Sequence, residues 1–334
     1  MVIVRLAALK VIIASIFTLA GSGALYQYIG TKLDEQKYPP IGTMVDVGGY
    51  KLHMIETQPT HKASAGAAGQ DKSGLVIVLE AGAGACSLNW GLVQPEIAKF
   101  AHVISYDRAG HGWSDASPLP RTSENIVKEL YTMLHNANIA GPYILVGHSF
   151  GGFNAQLFAA KYSDEVAGVV LVDALNEKDF QKDAPWANMS FYENSKNYVI
   201  QSKKIMESYF GIKRLMSDLG VHKIKNLRLP TKFVRTDLDE RSHFVDDAEQ
   251  LRQAGQSLGD KPLTVISAGK PWPGAGNDDL NSVWPQLQAD LVTKSSRGKQ
   301  IIAEKSGHRI DVEQPDIIVE AVREMVNEIR NAKD

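Results

Sequence analysis

A serine near the middle of the chain lies in a sequence that is typical of catalytic nucleophiles. Residues Gly147-His148-Ser149-Phe150-Gly151 match the pattern G-x-S-x-G. In this pattern the serine sits on a tight turn between a strand and a helix, and small flanking residues let the backbone pass closely there. The turn exposes the hydroxyl to a base that can remove its proton. The pattern predicts that Ser149 attacks carbonyl groups.

The residues on both sides fit the strand, turn and helix that such a serine requires. Upstream, residues 142–146 form a short apolar run of strand-forming residues. Downstream, residues 153–161 are mostly helix formers with an apolar face. A chance match is the alternative, since 28 glycines produce many glycine-containing pentapeptides, and the two flanks argue against it.

Length and composition limit the classes of protein to consider. A chain of 334 residues with 44% hydrophobic and 22% charged residues suits one large α/β domain with an insertion. The net charge of −2, without a basic cluster, argues against a nucleic-acid partner. Cys86 is the only cysteine, so we expect neither an internal disulfide nor a metal site, and the thiol should pack as a small apolar group.

The N-terminal region departs from this pattern. Residues 11–30 carry no charge and are long enough to cross a bilayer as a helix, with Tyr26 and Tyr28 where an aromatic belt would lie. Arg5 and Lys10 precede the span, which favours residues 1–10 in the cytoplasm and the rest of a single-pass protein outside. The alternative is a secreted protein whose signal peptide is cleaved near residues 20–24.

The remaining chain alternates apolar runs with helical patterns, which predicts a mostly parallel sheet with helices on both faces. After a linker at 31–43, the core spans 44–174 and 260–334, and a helical cap is inserted at 175–259. The cap's aromatic and methionine residues either pack as core or contact the substrate. The predicted strands are 44–47, 51–55, 75–79, 102–106, 142–146, 167–172, 262–266 and 300–303, and the predicted helices are 88–100, 123–138, 153–161 and 315–330.

Four sequence segments in this order resemble the α/β-hydrolase fold superfamily, and the resemblance covers most of residues 44–330. They are Leu79-Glu80-Ala81-Gly82-Ala83-Gly84, Asp107-Arg108-Ala109-Gly110-His111-Gly112-Trp113-Ser114, the pentapeptide around Ser149, and Gly307-His308. Residues 38–49 are similar to membrane-anchored bacterial members. The resemblance implies the α/β-hydrolase fold, no cofactor and no metal, and a triad in the chain order Ser, acid, His.

A triad needs a base within reach of the serine and an acid that orients the base. His308 follows the last predicted strand and precedes a helix, so the family order assigns it as the base. His148 adjoins the serine and points its side chain elsewhere, so we interpret it as structural. We expect His111, which follows the fourth strand, to have a packing role.

The acid stays open between two places in the chain. Most family members carry it after the strand at 262–266, but the turn at 268–272 has no carboxylate. Asp173, at the end of the preceding strand, is the other position that the fold permits, although an aspartate there can simply cap a turn. If Asp173 is not the acid, Asp278 and Asp279 in the long loop that follows are the next candidates.

The resemblance also implies an oxyanion hole formed by two backbone N–H groups, at Phe150 and Ala83. Gly82 and Gly84 could instead suggest a dinucleotide loop, but Ser87 stands where the third glycine would be.

These residues predict a serine hydrolase that cleaves a hydrophobic carboxylic ester, thioester or lactone, with the cap as a lid over Ser149. Epoxide hydrolases and haloalkane dehalogenases resemble this fold but need an aspartate nucleophile. A peptidase or carbon–carbon bond hydrolase of the same fold, and a non-catalytic membrane-anchored binding module, are the alternatives.

Overall fold

A computed structural model describes residues 2–59, 74–180, 202–219, 230–255, 257–271 and 278–332 of the chain. Eight strands form one sheet in the order β1-β2-β4-β3-β5-β6-β7-β8. The strands are β1 Thr43–Asp46, β2 Lys51–Thr57, β3 Val76–Glu80, β4 His102–Tyr106, β5 Tyr143–His148, β6 Val166–Val172, β7 Leu263–Ala268 and β8 Gly298–Ala303.

The sheet confirms the predicted mostly parallel architecture. Strands β1 and β2 form an antiparallel hairpin and β2 pairs antiparallel with β4, while every pairing from β4 to β8 is parallel. Strands β3 and β5 are buried along their whole length, as expected for strands covered on both faces. Parallel strands end at the same edge, so the residues that follow β5, β6 and β8 lie near one another.

Helices cover both faces of the sheet with apolar side chains. One core cluster joins the sheet to α3 Ser123–Asn136, α4 Gly151–Lys161, α8 Phe244–Ala254 and α9 Asp278–Val292. A second cluster joins the opposite face to α2 Gln94–Ile97 and α11 Pro315–Asn331. The single cysteine, Cys86, is buried.

Between β6 and β7 the described residues are mostly helical, in agreement with the predicted insertion. They form α5 at residues 202–209, α6 Ile212–Asp218, α7 Thr231–Ser242 and α8. We call α5 to α8 the cap helices. The predicted cap also contains the apolar residues Trp186, Phe191, Tyr192, Val199 and Ile200, which lie outside the described residues, as do residues 60–73.

At the N-terminus, α1 is one continuous helix from Val2 to Lys37, longer than the predicted 11–30. Residues 5–37 have the length of a membrane span, and an 18-residue window within them has a mean hydropathy of 1.8. A 36-residue helix measures about 54 Å, which exceeds a hydrocarbon core of about 30 Å. Its last turns therefore extend beyond an apolar layer.

Two local predictions from the sequence are wrong. The predicted helix at 88–100 is a 3-10 turn at Ser87–Trp90 followed by the short α2, because Pro95 has no N–H with which to continue a preceding helix. Asp278 and Asp279 begin α9 instead of lying in a loop.

A short helix, α10 Ile310–Glu313, lies between β8 and α11. The turn from β8 to α10 carries His308.

Candidate active site

Ser149 occupies a strained turn between β5 and α4. Its φ of +53° lies in the left-handed region, which non-glycine residues adopt mainly at turns and functional sites. The turn is tight, since a Cβ added to Gly147 would lie 2.5 Å from the Gly151 carbonyl oxygen. Ser149 is half-buried, whereas the residues on either side of it are buried. The fold thus exposes this side chain and little else of the turn.

Asp173 directly follows β6 and is fully buried. Its carboxylate accepts hydrogen bonds from the Ala268 N–H at 3.0 Å and the Trp284 indole N–H at 2.8 Å, both on Oδ1. Its Oδ2 lies 2.7 Å from His308 Nδ1. Three donors from separate elements therefore hold the carboxylate, which offsets the cost of burying a charge.

His308 extends from the turn between β8 and α10, and its side chain is 18% exposed. An ionised carboxylate can only accept, so Nδ1 carries the proton in its contact with Asp173. This tautomer leaves the lone pair on Nε2, the atom that a general base uses. The structure thus brings together Asp173 and His308, two of the three residues of the predicted triad, and Asp173 is also linked to Ser149 through the backbone.

That link runs through β6 and the residues after it. The Ser149 N–H donates to the Val172 carbonyl at 3.0 Å, and the Leu175 N–H donates to the Ser149 carbonyl at 3.2 Å. The two bonds fix the serine's turn to both sides of Asp173. The positions of the serine and of the carboxylate therefore cannot change independently.

The other two histidines singled out from the sequence are buried. His148 Nε2 donates to the His308 carbonyl at 2.8 Å, so it holds the backbone of that residue. Burial, and then the neighbouring His308, lower the pKa of His148 from 6.5 to about 4. His111 packs edge-on against Phe233 with 4.8 Å between the ring centres, which fits the packing role that we expected.

The loop after β3 approaches the serine closely. A Cβ added to Gly82 would lie 3.2 Å from Ser149 Cβ and 3.0 Å from His148 Nδ1. Within the part of the chain that the structure describes, the N–H groups of Ala83 and Phe150 donate to no protein acceptor. Two free donors beside a serine are what an oxyanion hole requires.

Sequence reasoning missed two side chains that contact the site. Trp284 lies in α9, and no local pattern marks it as a partner of Asp173. Arg108 was quoted only as part of a motif, yet its guanidinium is buried and donates to the Ala81 and Gly82 carbonyls. The signal in the sequence is an arginine directly after a predicted buried strand, because a charged residue in such a place needs partners. Asp278 and Asp279 lie at the start of α9.

Among the described residues, no group of three or more His, Cys, Asp or Glu side chains is arranged to hold a metal ion.

Comparisons with known sequences agree with this architecture. A family model described as the alpha/beta hydrolase fold matches residues 74–237. Protein YqjL of Bacillus subtilis strain 168 is 27% identical over 247 residues, which are 74% of this chain and 81% of that protein. A proline iminopeptidase of Pestalotiopsis fici, PfmaB, is 36% identical over 112 residues, which are 31% of this chain and 37% of that protein.

Among solved structures, a thermophilic esterase from Thermogutta terrifontis has the same fold. The two superpose with a TM-score of 0.59 at 19% identity, over 86% of this chain and 98% of the esterase. At this identity the likeness concerns the fold, and chemistry has to be argued from the site.

The environment of His148 predicts a loss of stability in acid. As the pH falls from about 6.5 to about 4, the unfolded chain takes up a proton on this residue that the folded protein does not. The free energy of unfolding should therefore decrease, by up to about 3 kcal/mol from this group. In His148→Gln the amide can still donate to the His308 carbonyl, so the decline measured by urea unfolding should be shallower over this pH range. An equally steep decline in the variant would contradict the assignment.

Proposed function

Because the chain is a member of the α/β-hydrolase fold superfamily, we propose that it is a serine hydrolase that cleaves carboxylic esters, thioesters or lactones. The observation that carries the proposal is the 2.7 Å contact between Asp173 Oδ2 and His308 Nδ1, on the same edge of the sheet as the strained turn of Ser149. A buried carboxylate that orients an imidazole, on the sheet edge that also carries a half-buried serine, is consistent with a nucleophilic triad.

In the proposed reaction, Ser149 Oγ attacks the substrate carbonyl carbon while His308 Nε2 takes the hydroxyl proton. Asp173 keeps the imidazole in the required tautomer and stabilises the positive charge that it gains. The N–H groups of Ala83 and Phe150 donate to the oxyanion. His308 then returns the proton to the departing alcohol or thiol, or to the ring-opened hydroxyl of a lactone, which leaves an acyl-enzyme.

Hydrolysis of the acyl-enzyme repeats these steps with water as the nucleophile. His308 Nε2 removes a proton from water as its oxygen attacks the acyl carbon, and then returns the proton to Ser149 Oγ as the acid product leaves. No cofactor takes part in either half of this cycle.

Peptide substrates are the second candidate, and the 36% identity to the proline iminopeptidase over 112 aligned residues favours testing them. The same acyl transfer applies to an amide, whose leaving amine needs the proton from His308 more strongly than an alcohol does. An aminoacyl anilide with an N-terminal proline, assayed beside p-nitrophenyl esters of graded chain length and a diketone, separates peptidase, esterase and carbon–carbon bond hydrolase.

We also propose that α1 anchors the enzyme in the cell membrane with its catalytic domain outside. Arg5 and Lys10 precede the apolar segment, which matches the rule that basic residues stay in the cytoplasm. Near the end of this segment, Tyr26 hydrogen-bonds to Asp218 of the cap helix α6. Beyond the segment, Asp34 forms an ion pair at 2.7 Å with Arg214 of the same helix. These contacts would hold the cap at the bilayer surface.

A cap at that surface suits a hydrophobic, membrane-soluble ester. Ile212 and Leu215 in α6, and Leu219 directly after it, are exposed and recur at helical spacing on one side. Apolar side chains next to a membrane span lower their free energy by contact with lipid, so substrate would reach the cap from the bilayer.

Replacement of Ser149 tests the nucleophile. In Ser149→Ala, kcat/KM for p-nitrophenyl esters should fall at least about 10⁴-fold, because only binding and the oxyanion donors remain. Ser242→Ala, at an exposed serine in α7, is the matched control and should keep wild-type turnover. Ester cleavage by Ser149→Ala at the wild-type rate would exclude this serine as the nucleophile.

Three asparagine variants decide which aspartate orients His308. Asp173→Asn should lower kcat by about 10² to 10⁴-fold, because an amide cannot stabilise the imidazolium or enforce its tautomer. Asp278→Asn and Asp279→Asn should leave kcat within about twofold of wild type, because Asp173 already accepts from His308. A large loss of kcat in either of these two variants, with Asp173→Asn active, would assign the acid to α9.

Thiol labelling in intact cells tests the anchor. The two variants are made in a Cys86→Ala background. Leu119→Cys places a thiol at an exposed position of the catalytic domain, and Leu6→Cys places one near the start of α1. A membrane-impermeant maleimide should label the first and spare the second, and the membrane-bound protein should keep its full mass of 36.6 kDa. A shortened protein in the medium would instead identify residues near 20–24 as a signal cleavage site.

A further inference from the structure

A buried arginine joins the loop after β3 to the cap. Arg108 is 2% exposed, and its Nη1 donates to the Ala81 carbonyl at 2.5 Å while its Nη2 donates to the Gly82 carbonyl at 2.8 Å. On its other side, Nε and Nη2 donate to the two carboxylate oxygens of Glu240 in α7 at 2.7 and 3.0 Å. The guanidinium therefore bridges two backbone carbonyls of the core and one side chain of the cap.

The bridge determines where the next N–H points. A trans peptide unit is planar, and its C=O and N–H point in opposite directions. The Gly82 carbonyl points to Arg108, so the N–H of Ala83 in the same peptide unit points away from it. The Ala85 N–H also donates to the Gly82 carbonyl, at 3.2 Å, which restrains rotation of this peptide further.

The same guanidinium contacts the residue that carries the second free N–H. Its central carbon lies 5.4 Å from the centre of the Phe150 ring, within the range of a cation–π interaction. Arg108 thus contacts the peptide before Ala83 and the side chain of Phe150, whose N–H groups are the two proposed oxyanion donors.

Charge in this cluster keeps the arginine ionised and in place. Arg108 lies between Glu240 and Glu80, whose Oε1 accepts from Nη1 at 2.8 Å. Burial would raise the pKa of Glu240, but Arg108 and then His111 lower it well below its usual range. A charged, fully bonded pair in a low-dielectric interior resists rearrangement, since losing either partner would leave an unpaired buried charge.

We propose that Arg108 is a positioning residue that orients the Ala83 N–H as an oxyanion donor, and that Glu240 makes this orientation depend on the docked cap. The proposal rests on the serine-hydrolase function proposed above. The cap would then help to orient the oxyanion donor, because displacement of α7 would remove Glu240, the bidentate acceptor of Arg108, and Arg108 holds the Gly82 carbonyl. Catalysis would then weaken even with the triad intact.

The experiment compares two buried arginines. Arg108→Lys keeps the charge but cannot reach both carbonyls and Glu240 at once. Arg121→Lys is the matched control, since Arg121 is also buried and forms a bidentate pair with Glu129, with Nη1 and Nη2 at 2.7 and 2.8 Å from its carboxylate oxygens. Each variant is assayed for kcat and KM with a p-nitrophenyl ester and for inhibition by a trifluoromethyl ketone, which adds Ser149 Oγ to its carbonyl and forms an oxyanion.

Arg108→Lys should lower kcat about 10 to 100-fold with KM within about threefold, since a misoriented oxyanion donor should cost less than the about 10² to 10³-fold of a donor removed outright. Affinity for the ketone should fall by a similar factor. Arg121→Lys should lower the midpoint of urea unfolding and leave kcat and ketone affinity unchanged. Glu240→Gln retains the shape of the acceptor without its charge. In this variant kcat and the affinity for the ketone should both fall about 3 to 10-fold.

Two results would overturn the positioning role. One is a wild-type kcat in Arg108→Lys, or in Glu240→Gln if the lysine variant does not fold. The other is a loss of kcat without a matching loss of ketone affinity, which would indicate a general effect on folding. If wild-type protein neither cleaves the ester nor binds the ketone, the proposed serine-hydrolase function itself fails, and the two failures are thereby distinguished.

Discussion

The buried carboxylate of Asp173 is the interaction on which the geometry of the site depends. A charge at 0% exposure is costly unless its oxygens accept hydrogen bonds. Here the donors come from the end of β7, from Trp284 in α9 and from His308 after β8. Satisfying one side chain therefore fixes three elements that are distant in the chain, and the imidazole is one of the groups that this constraint orients.

The parallel sheet is what allows one carboxylate to do this. Strands β5, β6, β7 and β8 lie side by side and end at the same edge, so the residues after each strand meet there. Both Ser149 and Asp173 have positive φ, at +53° and +43°. Such strain persists only where the surrounding structure enforces it. The bonds from Ser149 to Val172 and Leu175 supply part of that enforcement.

Local sequence patterns were sufficient for the turn of Ser149, the alternation of strands and helices, and the position of His308 at a strand end. The contacts that connect distant segments were not predictable. Trp284 lies 111 residues from Asp173, and Glu240 lies 132 residues from Arg108, and no periodicity relates such pairs. The short elements at 87–97 were also mispredicted, because Pro95 interrupts a pattern that otherwise reads as one helix.

The proposed function requires that the Ser149 hydroxyl is an activated nucleophile. Its most direct test is to incubate the folded wild-type protein with an alkyl fluorophosphonate and to measure intact mass and peptide masses, since only a serine activated by a base reacts readily. We expect one adduct per chain, on the peptide that contains Ser149, and no adduct on urea-unfolded protein. Folded protein that stays unmodified, or an adduct on another serine, would contradict it.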